Sequence, residues 1–102
     1  MSTQASEDAS NYRLPTSTAM EHSFKIAVVE DKPIMLDYWT CSLEKNALIG
    51  VRENQEKLLV KSEEEYTSPI VKIYLTGSEY IISTENSIYL VDVNIPTKRI
   101  SS

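Results

Sequence analysis

Three apolar runs separated by three-residue polar breaks constrain this chain more than any other feature. They are Ile70-Val71-Lys72-Ile73-Tyr74-Leu75, Glu79-Tyr80-Ile81-Ile82-Ser83 and Ser87-Ile88-Tyr89-Leu90-Val91-Asp92-Val93, joined by Thr76-Gly77-Ser78 and Thr84-Glu85-Asn86. β-branched and aromatic side chains suit a pleated, half-buried surface, and connections this short force successive strands to run antiparallel. The segment is therefore expected to form a three-strand meander.

Upstream the same reasoning gives shorter strands. Phe24 to Val29 reads as a first strand, and Glu30-Asp31-Lys32-Pro33 supplies turn chemistry before a second apolar run, Ile34 to Trp39, so that the two form a hairpin. Apolar groups fall on both faces of Ile34 to Trp39, as in a central strand. Ser42 to Asn46 reads as a turn or a single helical turn. Ala47 to Arg52 reads as a third strand in which Gly50 marks a bulge, and Lys57 to Lys61 as a fourth. Glu53 to Glu65 also contains good helix formers, so strand and helix compete there, with strand preferred. Pro96 is expected to end regular pairing, with Ile95 and Ile100 tucking the last segment onto the core.

Residues 1–21 are rich in Ser, Thr, Ala and acids and lack the large apolar groups that would offset the entropy of ordering them. They read as a flexible tail, with Tyr12, Leu14 and Pro15 as its anchors for a partner and Ser6, beside Glu7 and Asp8, as a phosphorylation candidate. Residues 22–102 then form one domain. The expected fold is all-β, a small antiparallel sandwich or barrel of six to seven strands ending in the meander.

Chemistry is sparse. A catalytic site needs a nucleophile with a base, tuned carboxylates, a metal or a cofactor cradle. The single histidine, His22, sits at the tail boundary, and the single cysteine, Cys41, excludes an internal disulfide, a CxxC redox pair and a thiolate-rich zinc site. Asp31, Asp37 and Asp92 lack the spacing of a calcium loop. The two glycines, Gly50 and Gly77, stand too far apart for a phosphate-cradling loop. The expectation is a protein that is not an enzyme and has no cofactor, metal or small-molecule substrate.

The formal charge of −5 repels phosphate backbones and anionic headgroups, and the only adjacent basic pair is Lys98-Arg99. Nucleic acid is thus disfavoured. No apolar run approaches the roughly 18 residues of a membrane span. A soluble, cytoplasmic protein is expected. Glu63-Glu64-Glu65 reads as a solvated turn that could attract a basic partner.

The aromatic side chains carry the functional expectation. If Ile73 and Ile81 point inward, Tyr74 and Tyr80 lie on the opposite face, where they form a docking patch with Trp39. Exposed strand edges offer a second binding mode, strand addition, which edge lysines such as Lys57 and Lys61 would restrain. Trp39, Tyr74 and Tyr80 are accordingly the candidate partner-binding residues of a protein–protein interaction or structural module whose partner is another protein or a second copy of itself. The alternative is a small barrel that binds a ligand or single-stranded nucleic acid by aromatic stacking.

Asp37-Tyr38-Trp39, the stretch Ser62 to Ile70 and the stretch Glu79 to Val91 together resemble small uncharacterised proteins of large double-stranded DNA viruses. The resemblance spans roughly residues 24–100 and includes no motif of known chemistry. It implies a viral accessory or virion-associated protein, in the host cytoplasm or the virion, that acts by binding.

Overall fold

A computed structural model of the chain describes residues 13–100. Residues 1–12 of the expected 1–21 tail, with Ser6 and Tyr12, lie outside the described residues.

The first element among the described residues is a helix, α1 (Ser17–Glu30), over positions expected to hold a tail and a first strand. Its start is set by Thr16, an extended N-cap whose hydroxyl accepts from Ala19 N–H, and its end by Asp31, which takes a left-handed conformation at φ 56°. Ile26, Val28 and Val29 favour strands, yet Ala19, Ser23, Ile26, Ala27 and Glu30 recur at helical spacing and line one face. Three of those five are small. Packing on a sheet overrides the local preference.

Then follow β1 (Ile34–Met35), a short helix α2 (Trp39–Leu43), β2 (Leu48–Val51), β3 (Lys57–Ser62), β4 (Glu65–Tyr66), β5 (Ile70–Leu75), β6 (Glu79–Thr84), β7 (Ile88–Asp92) and β8 (Thr97–Arg99). The expected 24–29/34–39 hairpin does not form: its first half is helical, and its second divides into β1 and α2. Strand wins over helix at Lys57–Ser62.

The strands make two sheets of four, in the orders β1-β7-β6-β5 and β4-β3-β2-β8. The meander β5-β6-β7 is antiparallel throughout, as its short turns dictate. Each sheet also gains a parallel edge strand, β1 on β7 and β8 on β2. The molecule is mostly β, but mixed rather than antiparallel, and helix-covered rather than all-β. Regular pairing continues past Pro96 into β8, because a parallel strand arriving from elsewhere in the chain has no local turn to announce it. Lys57 and Lys61 lie on β3, which is flanked by β2 and β4, so they do not guard an outer strand.

The first sheet is the middle layer. Ile81, Ile88 and Leu90 face α1 and pack with Ala19 and Trp39. On the other face Ile82 and Val91 meet Ile49 and Leu59 of the second sheet, together with Tyr38, Ala47 and Ile95. Gly50 forms no bulge. It leaves room for Ile100, whose Cδ1 would lie 2.8 Å from any Cβ placed there.

Polar clamps pin both ends of α1. At its start the Glu79 carboxylate, fully buried, accepts from Thr16 N–H at 2.8 Å, Thr16 Oγ1 at 3.1 Å, Thr76 Oγ1 at 2.8 Å and Arg13 Nη1 at 3.0 Å. Burial alone would push its pKa up, but these donors hold it below the ordinary carboxylate value. At the other end Glu30 accepts from Ser83 Oγ at 2.7 Å and Tyr74 OH at 3.3 Å and pairs with Lys32 at 3.2 Å. The Ser83 hydrogen bond leads the causes that lower its pKa.

Candidate interaction edge

The two sheets leave four outer strands, of which β5 is the longest at six residues. Its hairpin to β6 turns through Gly77-Ser78, with Thr76 N–H donating to Glu79 O at 2.9 Å. That bond fixes the parity of the ladder. Thr76/Glu79 is a hydrogen-bonded pair, so Leu75/Tyr80 is not, Tyr74/Ile81 is, and Ile73/Ile82 is not. The N–H and C=O groups of Ile73 and Leu75 therefore point away from β6, towards the free side.

Val71 and Leu75 add exposed apolar surface along this side, at 63% and 68% accessibility. Val71 is exposed because the register shifts between Ile70 and Lys72, which displaces it from the ladder. Lys72 is the one charged residue of β5, and its Nζ lies 5.3 Å from the centre of the Tyr74 ring. Beside the strand runs a groove of about 320 Å³ between α1 and the hairpin, lined by Thr18, His22 and Ile26 on the helix and by Tyr74, Leu75 and Ile81 on the sheet.

The three aromatic residues expected to form a patch do not share an exposed face. The Tyr74/Ile81 pairing places Tyr74 under α1, while Tyr80 packs on the opposite face against the second sheet. Ile73 and Ile81 thus point to opposite sides. Trp39 is 6% exposed, packed with Ile81, Ile88 and Leu90, and its Nε1–H donates to Arg13 O at 2.8 Å. Of the three, Tyr74 is the one that lines the groove beside β5.

The remaining candidates are dispersed. His22 is exposed on α1 at the rim of the groove. Cys41 donates weakly to Tyr38 O, and burial raises its pKa, the opposite of an activated thiol. Among the described residues, no three His, Cys, Asp or Glu side chains come together as a metal-ligand set, and no helix is long and apolar enough to cross a membrane.

A second depression of about 590 Å³ lies on the outer face of the second sheet, with Leu48, Leu58, Val60, Tyr66 and Ile100 among its lining. Unlike the β5 edge, it lies over a sheet face, where the paired backbone groups of β2 and β3 are turned into their ladder. Comparison with known protein families, curated proteins and solved structures finds no match to the chain.

Proposed function

We propose that the protein is a non-enzymatic interaction module that takes an extended segment of a partner protein onto the free side of β5. One observation carries this reading: the outward N–H and C=O groups of Ile73 and Leu75 lie between exposed Val71 and Leu75 and beside the α1 groove. An added strand satisfies the backbone groups and sends alternate side chains into the groove, which gives affinity and selectivity separate sources. A virion-associated or accessory role, as the viral resemblance implies, is compatible with such a module.

The stacking alternative has less support. It needs free aromatic faces, and among the described residues the exposed aromatic side chains are Phe24 and Tyr66, on α1 and β4 respectively.

The test is selection from a displayed library of eight-residue peptides, followed by amide exchange on the complex. Bound peptides are expected to protect the Ile73 and Leu75 amides. Leu75→Pro should weaken them at least tenfold, because it removes an outward N–H without touching the β5–β6 ladder. Binders that map to the outer depression, or that tolerate Leu75→Pro, would overturn the assignment.

A further inference from the structure

The turn between β5 and β6, the end of β7 and the start of α2 meet at a corner filled by one side chain, Arg13. Its Nη1 donates to Glu79 Oε2 at 3.0 Å, and its Nη2 donates to Asp92 Oδ1 at 2.6 Å and to Ser78 O at 3.1 Å. The guanidinium carbon lies 5.0 Å from the centre of the Trp39 ring. A pair of acids would not by itself specify a ligand. The group seated between them does: two carboxylates, a carbonyl and an indole face match the planar fork of a guanidinium, which an ammonium cannot span.

The receptor groups are held in place without the Arg13 side chain. Glu79 is fixed by Thr76 and Thr16, and Asp92 Oδ2 accepts from Asn94 N–H at 3.0 Å. Trp39 is anchored by its packing, and α2 is tied to β7 where Asp92 N–H donates to Ser42 Oγ at 2.9 Å. The Arg13 side chain is itself 39% exposed and belongs to no helix or strand. That side chain fills the pocket from outside the elements that build it, while the backbone carbonyl of Arg13 is held by Trp39 Nε1–H at 2.8 Å.

We propose that Glu79, Asp92, Ser78 O and Trp39 form a guanidinium-binding pocket, occupied in cis by Arg13, that accepts an arginine side chain of a partner segment when Arg13 leaves. The proposal is independent of the β5 edge. The partner chemistry follows from the fork: arginine is taken and lysine is refused.

Titration of the Arg13→Ala protein with ethylguanidinium and, in parallel, with ethylammonium tests it. At twice its dissociation constant ethylguanidinium should raise Tm by about 3–5 °C and shift Trp39 fluorescence saturably, while the wild-type protein, its pocket filled, stays unmoved. A blocked peptide with one arginine should reproduce the response, and its lysine counterpart should be at least tenfold weaker. If Arg13→Ala does not fold alone, recovery of native circular dichroism on adding ethylguanidinium, but not ethylammonium, is the expected outcome. Equal responses to the two cations, no saturation, or a response that persists in Arg13→Ala/Asp92→Asn would overturn it.

Discussion

The two sheets have the same strand count and the same plan, an antiparallel set extended by one parallel edge strand, yet they differ in cover. The first is enclosed on one side by α1 and on the other by its companion, so that β6 and β7 are buried almost residue by residue. The second is packed on its companion through one face only, and β3 alternates accordingly between Leu59, turned to the core, and Val60, half-buried on the outer depression where Leu58 is covered. Layer position, more than strand chemistry, decides which substitutions matter. It also explains why the polar residues of the enclosed sheet, Glu79, Ser83 and Asp92, are all hydrogen-bonded: no water reaches the middle layer freely to satisfy them.

The largest expected contrast is between Ile81→Ala and Val60→Ala. The first opens a cavity between α1 and the sheet and should cost about 4 kcal/mol; the second, on a half-open face, should cost about 1 kcal/mol. Urea unfolding of both variants reads the difference, and equal costs would mean that the layers are not distinct. Next comes Glu79→Gln, which leaves Arg13 facing one carboxylate and should cost about 2 kcal/mol at neutral pH, discounted for the partial exposure of Arg13. The folded state holds the Glu79 carboxyl below its ordinary value of about 4.3, so it binds a proton less readily than the unfolded chain does. The stability this gives is complete above that value and is lost as pH falls through the lower, folded one. Acid unfolding of Glu79→Gln should therefore be less steep than that of the wild-type protein as pH falls below the ordinary carboxylate value.

Gly50→Ala sharpens the comparison on the open sheet. The new Cβ meets Ile100 Cδ1 at 2.8 Å and the methyls Ile100 Cγ2 and Val60 Cγ2 at 3.1 Å, so the cost should be about 1 kcal/mol and should fall, without vanishing, in the Gly50→Ala/Ile100→Ala double mutant because the Val60 contact remains. The smallest effect is expected for Leu75→Pro, about 0.5 kcal/mol by thermal melting, since the lost N–H has no partner in the monomer.

How far the sequence could be read follows the same division. β5, β6 and β7 were legible because short turns and β-rich runs leave one arrangement open to them. α1 was not, because its Ile-Ala-Val-Val stretch has strand propensity and its sheet-facing residues are small rather than conspicuously apolar. β1 and β8 were invisible for another reason: a parallel partner comes from a distant part of the chain and leaves no local pattern. For the candidate edge, the signal lies in the turn, whose parity contradicts a shared face for Tyr74 and Tyr80. A turn centred on Gly77-Ser78 pairs residue 75 with 80 and 74 with 81, which alone places Tyr74 and Tyr80 on opposite faces. Arg13 gave no such hint, since nothing near it in sequence reveals Glu79 and Asp92 as its neighbours.

The packing of α1 on β6 and β7 also sets an order of events during synthesis. The helix leaves the ribosome well before its supports, with Asp92 following Glu30 by 62 positions. At about 5–20 residues per second that delay is roughly 3–12 s. A 14-residue helix is marginal in water on its own, so α1 waits through that interval largely unfolded, with Ala19, Ile26 and Ala27, which the fold later covers, open to chaperones. Biogenesis of this protein is thus gated from its C-terminal half, and a truncation that removes β7 should take Ile88 and Leu90 from beneath α1 and leave it only its contacts with β6 and β1.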